Sequence, residues 1–387
     1  MFDPQHFITD KLRAIDASGI RKVFDLAAKL KDPINLSIGQ PDFDVPDNIK
    51  QAAIAAIEQG HNRYTVTQGM AQLQARIAEH LKAELPHWDF TATGSLVTSG
   101  VSGGLMLALM TTVGPGDEVL IPDPYFVMYK HLVTLTGAKA VYVDTYPDFQ
   151  ISADKLEPYI TDKTKLILFN TPSNPTGVVA TDQTCKDVVA LAEKHNLLIL
   201  SDEIYDEFCY EKIERPSGCG KQRCPSPADY SQNLLLLRGY SKTYGMTGWR
   251  LGYAVGPKAI IEQMTKLQQY SFVCAPSMVQ VAGVAALDTD MQAHIDAYQL
   301  KRDLVVEKLS GHYELTTPGG AFYAFPKVPE KLGITATQFV ERAIAKGMLI
   351  IPGNVFSNRD THFRISYACD TAMLTKGLDL LVELAHI

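Results

Sequence analysis

From about residue 95 to 256, short β-branched or leucine-rich runs alternate with stretches of helical period. The runs are EVLIPDP, AKAVYVD, TKLILFN, LLILSDE, NLLLLRGY and LGYAVG. They predict strands covered on both faces, the signature of an α/β domain with a largely parallel sheet. TDQTCKDVVALAEKHN predicts a crossover helix, with Val188, Val189 and Ala192 at helical spacing and Thr181 or Asp182 as its N-cap.

After about residue 290 the texture changes. A charged helical stretch, AYQLKRDLVVEKL, is followed by AFYAFP, GMLIIPG and HFRISYA, each read as one short strand punctuated by Pro or Gly. The first 48 residues, with the extended LSIGQPDFDVP, do not fit the large sheet and are expected to pack with this smaller unit. The expected architecture is α/β. A large cofactor-binding domain over 49–290 has a mostly parallel central sheet sandwiched by helices, and a smaller α/β domain is built from both termini, 1–48 and 291–387.

Composition narrows the function. A chain of 387 residues that is 46% hydrophobic can bury two cores. Asp plus Glu (43) outnumber Lys plus Arg (36), a formal net charge of -7, which offers no broad positive field for nucleic acid or anionic lipid. The N-terminal MFDPQHFITDKLRAID has no apolar signal region, and no window approaches the roughly 18 apolar residues of a membrane span. Six scattered cysteines fit a reducing compartment, so a soluble cytoplasmic protein is expected. The CGKQRC pair is too wide for a zinc knuckle and has no nearby His, so no metal is expected.

Candidate chemistry gathers around one lysine. In RGYSKTYGMTGWRLGY, Lys242 sits among small and aromatic residues. Asn174 (FNTPSNPTG), Asp202 and Tyr205 (LSDEIYD), and Ser241 with Lys242 follow the ends of successive strands. In an open parallel sheet those ends line one crevice, where such folds bind ligands. At TSGVSGGLMLALM a strand ends in a small-residue turn and a helix begins near Ser102, a natural phosphate site to which Ser241 and Arg250 add a hydroxyl and a cation. Each residue alone has a plainer reading: a solvated lysine, a capping Asp202, a turn Asn174 before Pro175. Together they offer a phosphate cradle, an acid, a phenol and an amine, which suits pyridoxal 5'-phosphate.

NPTG at 174–177, SDEIYD at 201–206 and SKTYGMTGWRLGY at 241–253 resemble the class I/II aminotransferases of the fold-type-I pyridoxal phosphate enzymes. The resemblance extends from IGQPDFDVP through YTVTQGMAQLQARIA to PGGAFYAF, PGNVF and FRISYA. It implies that Lys242 carries the cofactor as an aldimine and then acts as base at the substrate α-carbon, with an amine pKa lowered by burial and nearby positive charge. Asp202 is implied to keep the pyridine nitrogen protonated, and Tyr205 and Asn174 to bond the ring's phenolic oxygen. Phe126 of DPYFVMYK, preferred to Tyr125, is implied to stack on the ring, while Val101, Ser102, Ser241 and Arg250 hold the phosphate. Arg364 is implied to grip the substrate α-carboxylate with its planar fork, and Gly39 to close over it. Tyr64 of HNRYTVTQG is implied to reach the phosphate of a neighbouring subunit, hence a homodimer with shared sites.

The implied reaction is transfer of an amino group between an L-amino acid and a 2-oxo acid through pyridoxamine phosphate. A carbon–sulfur β-lyase using the same residues is the alternative. A silent cofactor sensor attached to a DNA-binding unit has the wrong charge, and a nicotinamide oxidoreductase lacks its GxGxxG. Dicarboxylate-specific members carry a second arginine after the Arg250 motif or a lysine where Ser102 stands. Ala259 to Leu300 holds no arginine and only Lys266, so neutral aliphatic or aromatic substrates are expected unless Lys11, Arg13 or Arg21 supplies the charge. EKIERPSGCGKQRCPSPADYSQ is longer and richer in Cys than the family pattern, and is expected to be a surface insertion.

Overall fold

The apolar runs become strands of one seven-stranded sheet in the computed structural model, which describes residues 2–16, 19, 31–210 and 224–387. The first strand, β1 (Ile34–Asn35), lies outside it. The large sheet holds β2 (Thr93–Ser99), β3 (Glu118–Asp123), β4 (Lys139–Asp144), β5 (Thr164–Asn170), β6 (Leu198–Asp202), β7 (Leu234–Gly239) and β8 (Leu251–Pro257). Their order is β2-β8-β7-β6-β5-β3-β4. All neighbours from β4 through β7 are parallel, whereas β8 runs antiparallel to both β7 and β2. The segment joining β7 to β8 is too short for the crossover that a parallel pair needs, so the chain returns antiparallel.

Burial on both faces explains the unbroken apolar runs. Leu234 and Leu236 pack in one core cluster with Ile167 and Phe169, and Leu235 and Leu237 pack in another with Leu166 and Leu168. The crossover helix Asp182–Lys194 is capped by Thr181, whose hydroxyl accepts from Thr184 N at 3.0 Å, which decides between the two capping candidates. The helix expected near Ser102 begins earlier and spans Gly100–Thr112. Gly100 has φ +67°, a region glycine enters freely, and turns the chain from β2 into the helix without a loop.

The remaining strands are β9 (Tyr323–Ala324), β10 (Met348–Leu349), β11 (Ile351–Pro352) and β12 (Phe363–Ser366). GMLIIPG is thus two strands, contrary to the reading of one. β10 pairs parallel with β1, while β11 pairs antiparallel with β12, whose other neighbour is β9. Pro352 lacks a ladder donor and lies on the edge strand of that three-stranded sheet. The helix read from AYQLKRDLVVEKL starts earlier, spanning Gln292–Leu309. Leu36, beyond β1, shares one apolar cluster with Phe322, Ile365 and Leu378.

Residues 211–223 of the expected insertion lie outside the described residues. The rest of it corrects the expectation of a surface segment. Cys224, Ser226 and Ala228 are buried, Ser226 and Asp229 form a capping box, and Ala228 O accepts from Trp88 Nε1 at 2.8 Å. That carbonyl gives a buried indole its partner, so the stretch belongs to the core. No helix among the described residues is long and apolar enough to cross a membrane.

Candidate active site

At the C-terminal ends of β5, β6 and β7 the chain leaves polar residues on a common rim, and these line a cavity of about 310 Å³. β5 delivers Asn170 and then Asn174, β6 delivers Asp202 and then Tyr205, and β7 is followed by Ser241 and Lys242 in the single turn Tyr240–Thr243. The other walls include Val101 and Ser102 of the helix after β2, Phe126, Arg250, the Ile38–Gln40 loop, Tyr323 of β9 and Arg364 of β12.

Lys242 Nζ donates to Gly39 O at 2.6 Å. Burial first, then the guanidinium groups of Arg364 and Arg250, push its pKa down to about 8, against the pull of Asp202. Asp202 moves the other way. Burial raises its pKa to about 6, opposed by hydrogen bonds from Tyr129 and from Ile204 N. Tyr129 Oη donates to Asp202 Oδ2 at 2.8 Å, and Asn170 Nδ2 donates to Asp202 O at 2.8 Å. One cavity therefore holds an amine that loses its proton readily and a carboxyl that gains one readily, a pairing that marks functional sites more than structural ones.

Arg364 is 1% exposed and has its guanidinium against aromatic faces, 4.5 Å from the Tyr323 ring centre and 4.7 Å from that of Phe356. Nη1 donates to Asn174 Oδ1 at 3.0 Å and Nη2 to Ser37 O at 2.9 Å. Its Nε is buried without a partner. A buried unmet donor on a cation is costly to leave in a fold. Tyr205 and Tyr323 share a hydroxyl bond of 2.7 Å. A Cβ on Gly39 would stand 2.5 Å from Tyr323 Oη, so only glycine lets this loop lie so close.

At the turn from β2 into the helix Gly100–Thr112, a Cβ on Gly100 would fall 2.5 Å from Arg250 Nη2, so the guanidinium approaches the helix start through space a side chain would fill. Arg250 Nη1 donates to Thr247 O at 2.9 Å. The first N–H groups of the helix lack intrahelical acceptors, so cation and amides converge. Phe126 lines the cavity, whereas Tyr125 stacks on Tyr142 with ring centres 5.0 Å apart, away from it. Tyr64 stands apart from the other site residues, 85% exposed and outside the cavity wall. Lys11, bonded to Leu135 O at 3.3 Å, and Arg13, bonded to Ile8 O at 3.2 Å, also stay outside that wall, and Arg21 lies beyond the described residues.

Three residues of the site escaped the sequence reading: Tyr129, Asn170 and Tyr323. Asn170 ends an apolar strand just as Asp202 does, and that signal was present. Tyr129 lies one helical turn beyond Phe126, while Tyr323 reaches the cavity only because β9 pairs with β12.

The family model described as aminotransferase class I and II matches residues 31–381. A probable aspartate aminotransferase of Methanocaldococcus jannaschii is 37% identical, over 97% of this chain and 99% of its own length. Aromatic-amino-acid aminotransferase 2 of Thermococcus litoralis is 35% identical over 96% of each chain. Among solved structures, a single mutant of Thermus thermophilus aspartate aminotransferase superposes with a TM-score of 0.89 at 30% identity, covering 97% of this chain and 99% of that one. The aromatic aminotransferase of Pyrococcus horikoshii gives 0.85 at 32% identity, covering 94% and 98%. With a family match over nearly its whole length and a cavity of this chemistry, the chain belongs to the class I and II aminotransferases, a pyridoxal phosphate-dependent family that moves amino groups between amino acids and 2-oxo acids.

Proposed function

We propose that this aminotransferase binds pyridoxal 5'-phosphate in the cavity around Lys242 and acts on amino acids with neutral side chains. The residues present fit the cofactor. Gly100 leaves room for Arg250 beside the helix start, so Val101, Ser102, Ser241 and Arg250 form the phosphate cradle. Asp202 serves the ring nitrogen, Asn174 and Tyr205 the phenolic oxygen, and Phe126 the ring face. When bound, the cofactor supplies an electron-accepting ring and the carbon that receives the amino group.

The chain supplies the rest. Arg364 orients the substrate through its α-carboxylate, and the unmet Nε supports this role. Tyr323 and Phe356 flank the guanidinium and keep water from it, which strengthens that contact. Lys242 Nζ, with a pKa of about 8, takes the proton leaving the substrate α-carbon and returns it there in the reverse direction. The observation that carries this reading is the opposed shift of Lys242 and Asp202 within one cavity that also holds Arg364.

Arg250 and Arg364 are the only arginines lining the cavity among the described residues, and both have assigned partners. A distal carboxylate would be left there without a cation, a costly arrangement. Most of the similar proteins are named for aspartate and fewer for aromatic amino acids; it is the wall of this cavity that favours the second group. Further, we read residues 1–48 with 291–387 as one domain and 49–290 as the other, supported by the β1–β10 pairing. The exposed Tyr64 supports a homodimer in which it serves the partner's phosphate site.

The test has two arms. Borohydride reduction in the presence of pyridoxal phosphate is expected to label the peptide carrying Lys242, and a label elsewhere sinks the cofactor assignment. Loss of bound-cofactor absorbance is then followed with single amino acids. Phenylalanine or leucine is expected to react with higher kcat/KM than aspartate, and the reverse order overturns the substrate reading.

A further inference from the structure

We infer that Tyr129, through the bond from its hydroxyl to Asp202 Oδ2, is the positioning residue that holds the Asp202 carboxylate in place and charged for the ring nitrogen of pyridoxal phosphate. The inference rests on the cofactor reading above. Tyr129 is 2% exposed and stands in the first turn of the helix Met128–Thr136. Its ring packs edge-on against Phe126, with centres 5.6 Å apart, so the same turn that presents Phe126 to the cavity fixes the phenol. The 2.8 Å bond it makes is the one side-chain hydrogen bond to that carboxylate among the described residues. Oδ1 is held separately by Ile204 N at 3.3 Å. With each oxygen tied to a different element, the carboxylate plane cannot turn.

The charges around Asp202 show why a donor is needed. Burial and the neighbouring Glu203 carboxylate both favour the protonated acid, and Lys242 is the weakest of the opposing influences. The Tyr129 bond is the largest of those that favour the anion, ahead of Ile204 N. Tyr205, following β6, also feels the Asp202 charge but is engaged with Tyr323. A protonated Asp202 could not serve a pyridinium partner, so the phenol acts on the cofactor through Asp202. A neutral donor suits the task, because a lysine or arginine there would neutralise the carboxylate that the ring nitrogen requires. Burial and the Asp202 charge push Tyr129 itself well above its usual range, so it remains a donor at every working pH.

The test uses Tyr129→Phe, which removes one hydroxyl and leaves the ring. Cofactor-free wild type and variant are titrated with pyridoxal phosphate across pH, with Asp202→Asn and the double variant alongside. Losing one charge-assisted bond is expected to weaken cofactor binding about tenfold near pH 6.5, and less than about threefold near pH 8.5. The direction follows from linkage: removing the bond raises the Asp202 pKa, so the carboxylate is lost at a higher pH as acid is added. In the Asp202→Asn background the substitution is expected to show no pH-dependent effect. An equal loss at both pH values, or none, overturns the inference, because a merely structural ring contact would act uniformly. A second measurement does not need the cofactor. The infrared carboxylate band that vanishes in Asp202→Asn is followed against pH in the cofactor-free protein, and its midpoint is expected to rise in Tyr129→Phe. If wild type fails to bind pyridoxal phosphate, the cofactor reading falls, and the infrared midpoint still decides whether Tyr129 governs Asp202. An unmoved midpoint rules it out.

Discussion

Lys242 and Asp202 face one cavity with their proton affinities moved in opposite directions, and that arrangement costs stability in the cofactor-free protein. The lysine's folded-state pKa of about 8 lies below its ordinary value of 10.5. Below about pH 8 the unfolded and folded chains both carry the charged amine, and the fold bears the whole penalty, roughly 3 kcal/mol from the size of the shift. The penalty is relieved as pH rises from about 8 to 10.5, where the folded amine is already neutral. Lys242→Met is therefore expected to stabilise the cofactor-free protein at pH 7 by an amount of this order, with the gain shrinking between those two values. Urea unfolding at a series of pH values measures it, and a variant less stable than wild type at pH 7 contradicts it. The resemblance in sequence already implied a lowered lysine pKa, but which cations stand beside the amine, Arg364 and Arg250, was decided by the fold.

Between elements, the most heavily invested contact lies behind the cavity. Arg238 of β7 is 1% exposed and pairs with Glu84, at the end of the helix Ala71–Glu84, through bonds of 2.7 and 2.9 Å. It also bonds Glu203, beside Asp202, at 2.9 and 3.1 Å and approaches Asp206 at 3.3 Å. Removing the cation would leave three buried carboxylates, Glu84, Glu203 and Asp206, around an empty centre. Arg238→Met is expected to cost about 3–5 kcal/mol, the range for breaking a buried ion pair from one side. Glu84→Gln with Glu203→Gln in that background should recover part of the loss. Denaturant midpoints check both, and an Arg238→Met protein of wild-type stability would show the cluster to be dispensable. In the sequence Arg238 stands in RGYSK with no carboxylate beside it. Its partners stand 154 and 35 residues away.

The whole molecule presents a site with one assigned member missing from its wall. Tyr64 is exposed and absent from the cavity wall in a single chain, so the role proposed for it requires a second copy. Purified heterodimers joining a Lys242→Ala chain to a Tyr64→Ala chain are expected to hold one intact composite site, about half the sites of a wild-type dimer. Sedimentation verifies the assembly and steady-state turnover reads the outcome. Activity no higher than that of either parent would show that each chain completes its own site.

Strand positions, the parallel majority of the sheet and the rim residues Asn174, Asp202, Tyr205, Ser241 and Lys242 were legible in the sequence, because burial on both faces forces unbroken apolar runs and ligand chemistry collects where they end. Thr181 as cap was half legible, since cap preference is local but ambiguous between adjacent residues. What tertiary structure alone decided is long in range. The reversal of β8, the division of GMLIIPG between two sheets and the burial of residues 224–229 each depend on partners far along the chain. The arrival of Tyr129 at Asp202 and of Tyr323 beside Arg364 has the same cause. Local pattern fixes which residues must be buried or turned; the identity of the neighbour that covers each one is set by packing across the fold, and no periodicity in the chain records it.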